Sequence, residues 1–150
     1  MKRTSLRPKD VEQEVADFGI ELCKRDVVER VEDAATVILV NKKPTLFVVN
    51  GKHYPTLRYL LEHPCLKQVV VDMGAVKFMV NGADVMRPGI VELDESIAKD
   101  EAVVIVDVNH KKPLAVGIAL LSGQEIKAAS SGKVIKNIHF VGDSIWKMEG

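Results

Sequence analysis

Three turns in the second half of the chain combine glycine with a nearby cation, a pairing suited to contact with phosphate. They span residues 72–75, 81–89 and 132–136, and their cations are Lys77, Arg87 and Lys133. Because glycine has no Cβ, the backbone of a partner can approach closely at such turns. Ammonium and guanidinium groups beside them can neutralise phosphate. The three turns are therefore candidates for contact with a sugar-phosphate chain.

Each of these residues also has an ordinary structural explanation. Gly74 can serve a sharp turn from a strand into a helix, and most surface lysines, Lys77 included, only solvate a face. The planar fork of Arg87 suits a phosphate or a guanine edge, but it can equally pair with Asp84. His139 stands among apolar residues, where a histidine is more often packed than catalytic. The joint order of the turns is what favours binding.

Catalytic and metal-binding patterns are absent from the sequence. It contains no glycine-rich phosphate loop with its lysine, no nucleotide fingerprint, no serine elbow and no helical histidine pair. The histidines are scattered without metal-ligand spacing. Cys23 and Cys65 are expected to remain thiols. We therefore predict a protein that is not an enzyme and that needs no cofactor and no metal.

The composition favours a globular protein of the cytosol. Of the 150 residues, 47% are hydrophobic and 28% are charged, which is the balance of an ordinary soluble domain. No apolar run approaches the roughly 20 residues that span a membrane, so no membrane contact is expected. The formal net charge is zero, so any attraction for nucleic acid must be local. Aromatic residues make up only 5%, which favours helical or backbone-shaped RNA over rows of stacked bases.

The first half of the sequence predicts a helix followed by an antiparallel meander. Pro8 and helically spaced apolar residues indicate a helix to Phe18. Asp26 to Asp33 fits either a helix or a strand, and its β-branched residues favour a strand. The remaining elements are strands at 36–40, 45–49 and 52–54, with Asn50-Gly51 as a tight turn, and a helix at 57–62. This pattern is typical of a small α+β unit.

The second half predicts a mostly β unit. Its elements are a strand at 68–71, a helix at 75–80, strands at 102–108 and 114–121, a helix to residue 129, and strands at 134–141 and 144–147. Ser122 and Glu125 have the spacing of a capping box, which would begin the second helix. Val76, Phe78 and Val80 are expected to be largely packed. No flexible Gly/Ser tether separates the halves, so we expect them to pack directly.

The second half resembles the PUA family, a small RNA-binding module. The matching segments are VDMGAVKF (71–78), NGADVMRPGI (81–90), VG (116–117), GK (132–133) and IHFVGD (138–143). In the first half, HYPTLRYL (53–60) followed by Pro64 resembles the pre-PUA domain of the malignant-T-cell-amplified-sequence family. Yeast relatives in that family are translation-machinery-associated proteins. The chain is identified as a member of this family, and because it is shorter in its N-terminal part it resembles an archaeal member.

The resemblance implies an α+β fold, with a small α+β pre-PUA domain at 1–67 packed against a mostly β PUA pseudobarrel at 68–150. It implies a translation factor that binds the small ribosomal subunit and the acceptor end of tRNA in initiation, reinitiation or recycling. Eukaryotic relatives partner the density-regulated protein or are fused into ligatin, so a partner protein is also implied. In PUA domains RNA lies against the first helix, its preceding turn and the last strands. Carried to this chain, the RNA-binding residues are Gly74, Ala75, Lys77, Arg87, Pro88, Gly89, Gly132, Lys133 and His139.

Two alternative functions remain open from the sequence. PUA modules often accompany RNA-modifying enzymes, and this chain would then act in trans as an accessory protein because it has no catalytic half. Alternatively, the chain is a protein-interaction module without RNA binding, in which the first half docks a partner through its sheet edge.

Overall fold

The computed structural model describes residues 1–148, which form two compact units. Unit 1 comprises Met1–Cys65 together with residues 143–148, and unit 2 comprises Leu66–Gly142. The division falls two residues before the expected boundary at 67/68. Residues 143–148 group with unit 1, whereas the sequence placed them in the second domain.

Unit 1 contains a five-stranded antiparallel sheet whose strands lie in chain order. The strands are β1 (Lys2–Leu6), β2 (Val28–Glu32), β3 (Thr36–Val40), β4 (Lys43–Val49) and β5 (Lys52–Pro55). Asn50 and Gly51 have φ values of 50° and 78°, as a two-residue hairpin turn between β4 and β5 requires. The predicted meander is confirmed, and β2 settles the ambiguous segment as a strand. Strand β1 was not predicted, because its residues are mostly polar and exposed.

Short helices accompany this sheet. They are a 3₁₀ helix at Pro8–Asp10, α1 at Glu12–Ala16 and α2 at Leu57–Glu62. The single helix expected over 8–18 is thus two shorter pieces, and Gly19, with φ of 77°, follows them. Thr56 begins α2, because its hydroxyl accepts a hydrogen bond from the Tyr59 N–H at 3.1 Å. Apolar side chains from α1 and the sheet form one core cluster: Val11, Val15, Val28, Ile38 and Leu46.

Unit 2 contains a six-stranded sheet in the order β7-β11-β10-β9-β6-β8. The strands are β6 (Lys67–Val71), β7 (Val85–Met86), β8 (Ile90–Leu93), β9 (Ala102–Asp107), β10 (Pro113–Ala119) and β11 (Lys133–Phe140). Strands β6 and β9 pair in parallel, and the other pairs are antiparallel. The helices are α3 (Met73–Met79) and α4 (Gly123–Ala128), and a 3₁₀ helix covers Arg87–Gly89. The α+β class is confirmed.

Local signals explain where the helices of unit 2 begin. The capping box is confirmed: the Ser122 hydroxyl accepts from the Glu125 N–H at 3.2 Å, and the Glu125 carboxylate accepts from the Ser122 N–H at 3.1 Å. Asp72 caps α3 in the same manner, since its carboxylate accepts from the Ala75 N–H at 2.9 Å. Both helices pack on a core that includes Val69, Ile105, Ile126 and Ile135.

Gly117 lets β10 and β11 approach closely. A Cβ at this position would lie 2.5 Å from Cγ2 of Ile135 and 2.9 Å from the carbonyl oxygen of Lys136. The β10–β11 register shifts between Val116 and Gly117, which is the mark of a bulge. A side chain here would push β10 and β11 apart.

The strand expected at 144–147 is wrong, because these residues form a turn. The Asp143 carboxylate accepts from the Trp146 N–H at 2.8 Å, and the Asp143 carbonyl accepts from the Lys147 N–H at 3.1 Å. An aspartate that bonds the backbone three residues on favours a turn over a ladder. Across residues 1–148, the helices are all too short or too polar to cross a membrane.

Candidate nucleic-acid interface

A groove of about 430 Å³ lies in unit 2 between α3 and the segment that runs from β7 into the following 3₁₀ helix. Its lining residues are Asp72, Gly74, Ala75, Phe78, Met79, Ala83, Asp84, Val85, Met86, Pro88 and Gly89. Two of the three predicted turns therefore face the same space. Of the predicted RNA-binding residues, Gly74, Ala75, Pro88 and Gly89 contribute to its walls.

Backbone contacts hold the two walls of the groove together at one end. Asp72 follows β6 and caps α3, and its N–H donates to the Gly89 carbonyl at 3.0 Å. This hydrogen bond brings the Gly89 turn against the start of α3. A Cβ on Gly89 would lie 3.5 Å from the Cβ of Ala75, which is ordinary contact distance. The groove is therefore narrow at this end.

The backbone conformation at Gly74 and at Gly89 does not require glycine. Both lie outside the left-handed region, and a Cβ on Gly74 would lie 3.3 Å from an Asp72 carboxylate oxygen. Gly132 differs, because its φ is 93°, where other residues are strained. No atom lies within 4 Å of the Cβ it would carry, so the space beside it is open. Because Gly74 and Gly89 line the groove without side chains, their backbone is available to a ligand.

The third turn is joined to the groove through β7. The Arg87 N–H donates to the Gly132 carbonyl at 2.8 Å, and Lys133 pairs with Met86 in the β11–β7 ladder. Because Met86 lines the groove, Lys133 lies beside its rim. The structure therefore brings all three glycine turns to one side of unit 2.

Arg87 does not present a free guanidinium to this groove. Its Nε donates to the Ile126 carbonyl at 2.6 Å, Nη1 to the Ile90 carbonyl at 3.3 Å and Nη2 to the Lys127 carbonyl at 3.4 Å. Two of these carbonyls belong to the last turn of α4, where the Ile126 carbonyl also accepts from the Ala129 N–H at 3.1 Å. The alternative pairing with Asp84 is not observed. Arg87 instead holds the end of α4.

Asp84 pairs with Lys133 at the groove. The Lys133 ammonium lies 3.0 Å from an Asp84 carboxylate oxygen. Burial raises the pKa of Asp84, but the hydrogen bond from the Asn137 N–H and the Lys133 ammonium outweigh it, so this pKa lies below its usual value. Lys133 is about half exposed. It can contact a phosphate only in competition with this carboxylate.

Asn137 supports the groove from behind and was not found from the sequence. Its Nδ2 donates to the carbonyls of Met79 and Ala83, both at 3.1 Å, and its N–H donates to Asp84 at 2.8 Å. These three residues all line the groove. An asparagine within a strand gives no signal for such a role, because its partners lie more than 50 residues earlier in the chain.

Phe78 faces the groove, so the expectation that it is largely packed is wrong. It is 53% exposed, whereas Met79, the next residue of α3, is buried. The Lys77 ammonium lies 5.3 Å from the centre of the Phe78 ring, within range of a cation–π contact. Phe78 follows Gly74 by four residues, which places both on one helix face. This spacing is the signal that could have identified it.

His139 is fully buried in β11, opposite Val116 of β10. Its side chain has no exposed surface and does not line the groove with the other predicted RNA-binding residues. Burial varies along β11, because Lys133 and Lys136 of the same strand are exposed whereas the His139 side chain is turned into the packed interior.

Comparison with known proteins agrees with this architecture. The PUA domain family model matches residues 67–141. The uncharacterized protein MJ1432 of Methanocaldococcus jannaschii is 52% identical, over 85% of this chain and 79% of that protein. Translation machinery-associated protein 20 of Schizosaccharomyces pombe is 36% identical, over 77% of this chain and 67% of that protein. The crystal structure of hypothetical protein PH0734.1 from Pyrococcus horikoshii has a TM-score of 0.84 and 37% identity, covering 97% of this chain and 98% of that one.

Unit 2 is therefore a PUA domain, and the protein is of the PUA class. Malignant T-cell-amplified sequence 1 of Rattus norvegicus is 33% identical, over 84% of this chain and 73% of that protein. The chain belongs to the family of malignant T-cell-amplified sequence 1 and translation machinery-associated protein 20. This membership confirms the family expected from the sequence, and it supports RNA binding and an association with translation.

Proposed function

We propose that this protein is a non-enzymatic translation factor that binds the unpaired end of a structured RNA, such as the acceptor end of tRNA, at the small ribosomal subunit. It would act in the cytoplasm, in initiation, reinitiation or recycling. One observation carries the proposal: two of the glycine turns and an exposed aromatic ring line a single groove. The family's link to translation supports it.

The groove suits one unstacked base more than a helical backbone. Its volume of about 430 Å³ lies within the roughly 300–1,000 Å³ of small-ligand sites. The face of Phe78 can stack on a base, and stacking does not depend on which base is present. Gly74 and Gly89 leave room for the sugar to follow. An unpaired RNA end therefore fits better than the helical RNA favoured by the low aromatic content.

Two lysines can meet the phosphates of that RNA end. Lys77 is exposed beside Phe78, and Lys133 lies at the rim. Arg87 is excluded from this role by its bonds to carbonyls. If two phosphates are neutralised, the logarithm of the affinity should fall with the logarithm of salt concentration at a slope of about −1.4.

Fluorescence anisotropy with matched RNA hairpins tests the proposal. One hairpin carries a single-stranded 3′ extension and the other ends in a blunt duplex. We expect the extended hairpin to bind more tightly, and equal binding of the two would contradict the base-in-groove mechanism. Combining Lys77→Gln with Lys133→Gln should weaken binding and flatten the salt dependence. Lys99→Gln, which changes an exposed lysine outside the groove, is the matched control.

Sedimentation separates the translation role from its alternatives. Co-migration of the tagged protein with small ribosomal subunits would support the proposal. Exclusive association with an RNA-modifying enzyme would favour the accessory function in trans. Two results together would favour the protein-interaction module. The wild type would not associate with ribosomes, and a variant that no longer binds RNA would still bind its partner protein.

A further inference from the structure

Unit 1 carries its own groove, of about 440 Å³, at the side of α2. Its apolar part is formed by Ile20, Val40, Pro44 and Leu61. Tyr59 of α2 and His63, the residue that follows α2, also line it, and their ring centres lie 4.7 Å apart in a stacked arrangement. None of these residues lines the PUA groove, so this is a separate surface.

Apolar side chains near this groove are unusually exposed. Leu61 is 47% exposed and lies in the lining, and Val27 is 49% exposed. Val27 lies beside the groove, because its N–H donates to Asn41 Oδ1 at 2.9 Å and its carbonyl accepts from the Asn41 N–H at 2.7 Å. Asn41 is itself a lining residue. Exposed apolar surface next to a concave site is typical of a protein-binding surface.

The rim of the groove carries an excess of positive charge. Lys43 and Arg58 line it against one carboxylate, Glu62. Lys43 is exposed and has no ion pair among residues 1–148. Arg58 is held in place, since its Nε and Nη2 donate to the Trp146 carbonyl at 3.1 and 3.0 Å and its guanidinium lies 4.0 Å from the Trp146 ring centre. No carboxylate of the described chain pairs with Arg58, so neither cation of this rim is in an ion pair, and the rim keeps a net positive charge.

We propose that this groove binds an extended segment of a partner protein in which a large apolar residue stands next to acidic residues. The apolar residue would fill the space over Leu61 and Pro44, and the acidic residues would meet Lys43 and Arg58. Burying one large side chain in such a pocket, with charge-assisted bonds at the rim, is how short peptide motifs are held. An RNA strand fits less well, because Glu62 and the aliphatic lining oppose phosphate.

The test uses the full chain and short fluorescent peptides selected against it from a randomised phage library. We expect the selected peptides to share an aliphatic or aromatic residue beside Asp or Glu. Their binding, measured by anisotropy, should weaken by about tenfold or more in Lys43→Glu and in Leu61→Lys, since each removes an anchor worth about 1.4 kcal/mol or more. Lys52→Glu, an exposed lysine of unit 1 outside the groove, should bind normally.

Amide NMR shifts show where the peptide binds. Shifts confined to the groove, with normal spectra of the variants, would support the proposal and show that the variants are folded. Shifts elsewhere, failure to select any peptide, or unchanged affinity in Lys43→Glu would overturn it. So would an RNA oligonucleotide that shifts the same amides and displaces the peptide, since the occupant would then be nucleic acid.

Discussion

Replacing Phe78 by alanine is expected to weaken binding of an RNA with an unpaired end without destabilising the fold. Base–aromatic stacking contributes about 1–3 kcal/mol per base, so the dissociation constant should rise by about 5- to 160-fold. The ring is 53% exposed, so its removal leaves little buried surface unfilled. The thermal midpoint should therefore change little. Phe78→Trp, which keeps an aromatic face, should retain binding.

The assay is a titration of labelled RNA at fixed ionic strength, because the phosphate contribution varies with salt. Val91→Ala is the matched control: Val91 is 57% exposed on the same unit but does not line the groove. Suppose Phe78→Ala binds within about twofold of the wild type at an unchanged thermal midpoint, a difference of only about 0.4 kcal/mol. The stacking role would then be refuted, and the RNA would have to lie elsewhere.

Three further changes test how the groove is built. Arg87→Ala should lower the free energy of unfolding by about 1.5–3 kcal/mol in urea titrations, because it removes charged hydrogen bonds to three carbonyls. Weakened RNA binding at unchanged stability would contradict the structural role of Arg87. Gly117→Ala should cost about 1–3 kcal/mol, because its Cβ would overlap Ile135, and an unaltered urea midpoint would show that the strands can part freely. Asp84→Asn should destabilise the protein at neutral pH. The difference in stability between the variant and the wild type should shrink as the pH falls below about 4. The pKa of Asp84 is lower in the folded than in the unfolded protein, so its carboxylate stabilises the fold above the unfolded pKa. This stabilisation is lost as the pH falls through the folded pKa. Urea midpoints compared at neutral and acid pH check it, and a pH-independent difference would argue against the Lys133 pairing.

Signals that act over a few residues were readable from the sequence. The Ser122–Glu125 box, the Asn50-Gly51 turn and the alternating strands of unit 1 each depend on neighbouring residues. Their outcome follows from backbone geometry and nearby hydrogen bonds, which tertiary packing did not override here. The family resemblance likewise rested on short segments, and two of the three turns that it singled out line one groove.

The tertiary structure decided which side chains remain free to bind. Arg87 reaches carbonyls 39 and 40 residues away, and the Asn137 amide bonds carbonyls 54 and 58 residues away. His139 is buried although Lys136 of the same strand is exposed, and Phe78 is exposed although its neighbour Met79 is buried. Burial and hydrogen-bond partners of this kind depend on which strands and helices pack together in the folded chain. The local sequence pattern does not determine that packing, which here includes the parallel pairing of β6 with β9. The residue types belong to the sequence, but their availability to a ligand is a property of the folded chain.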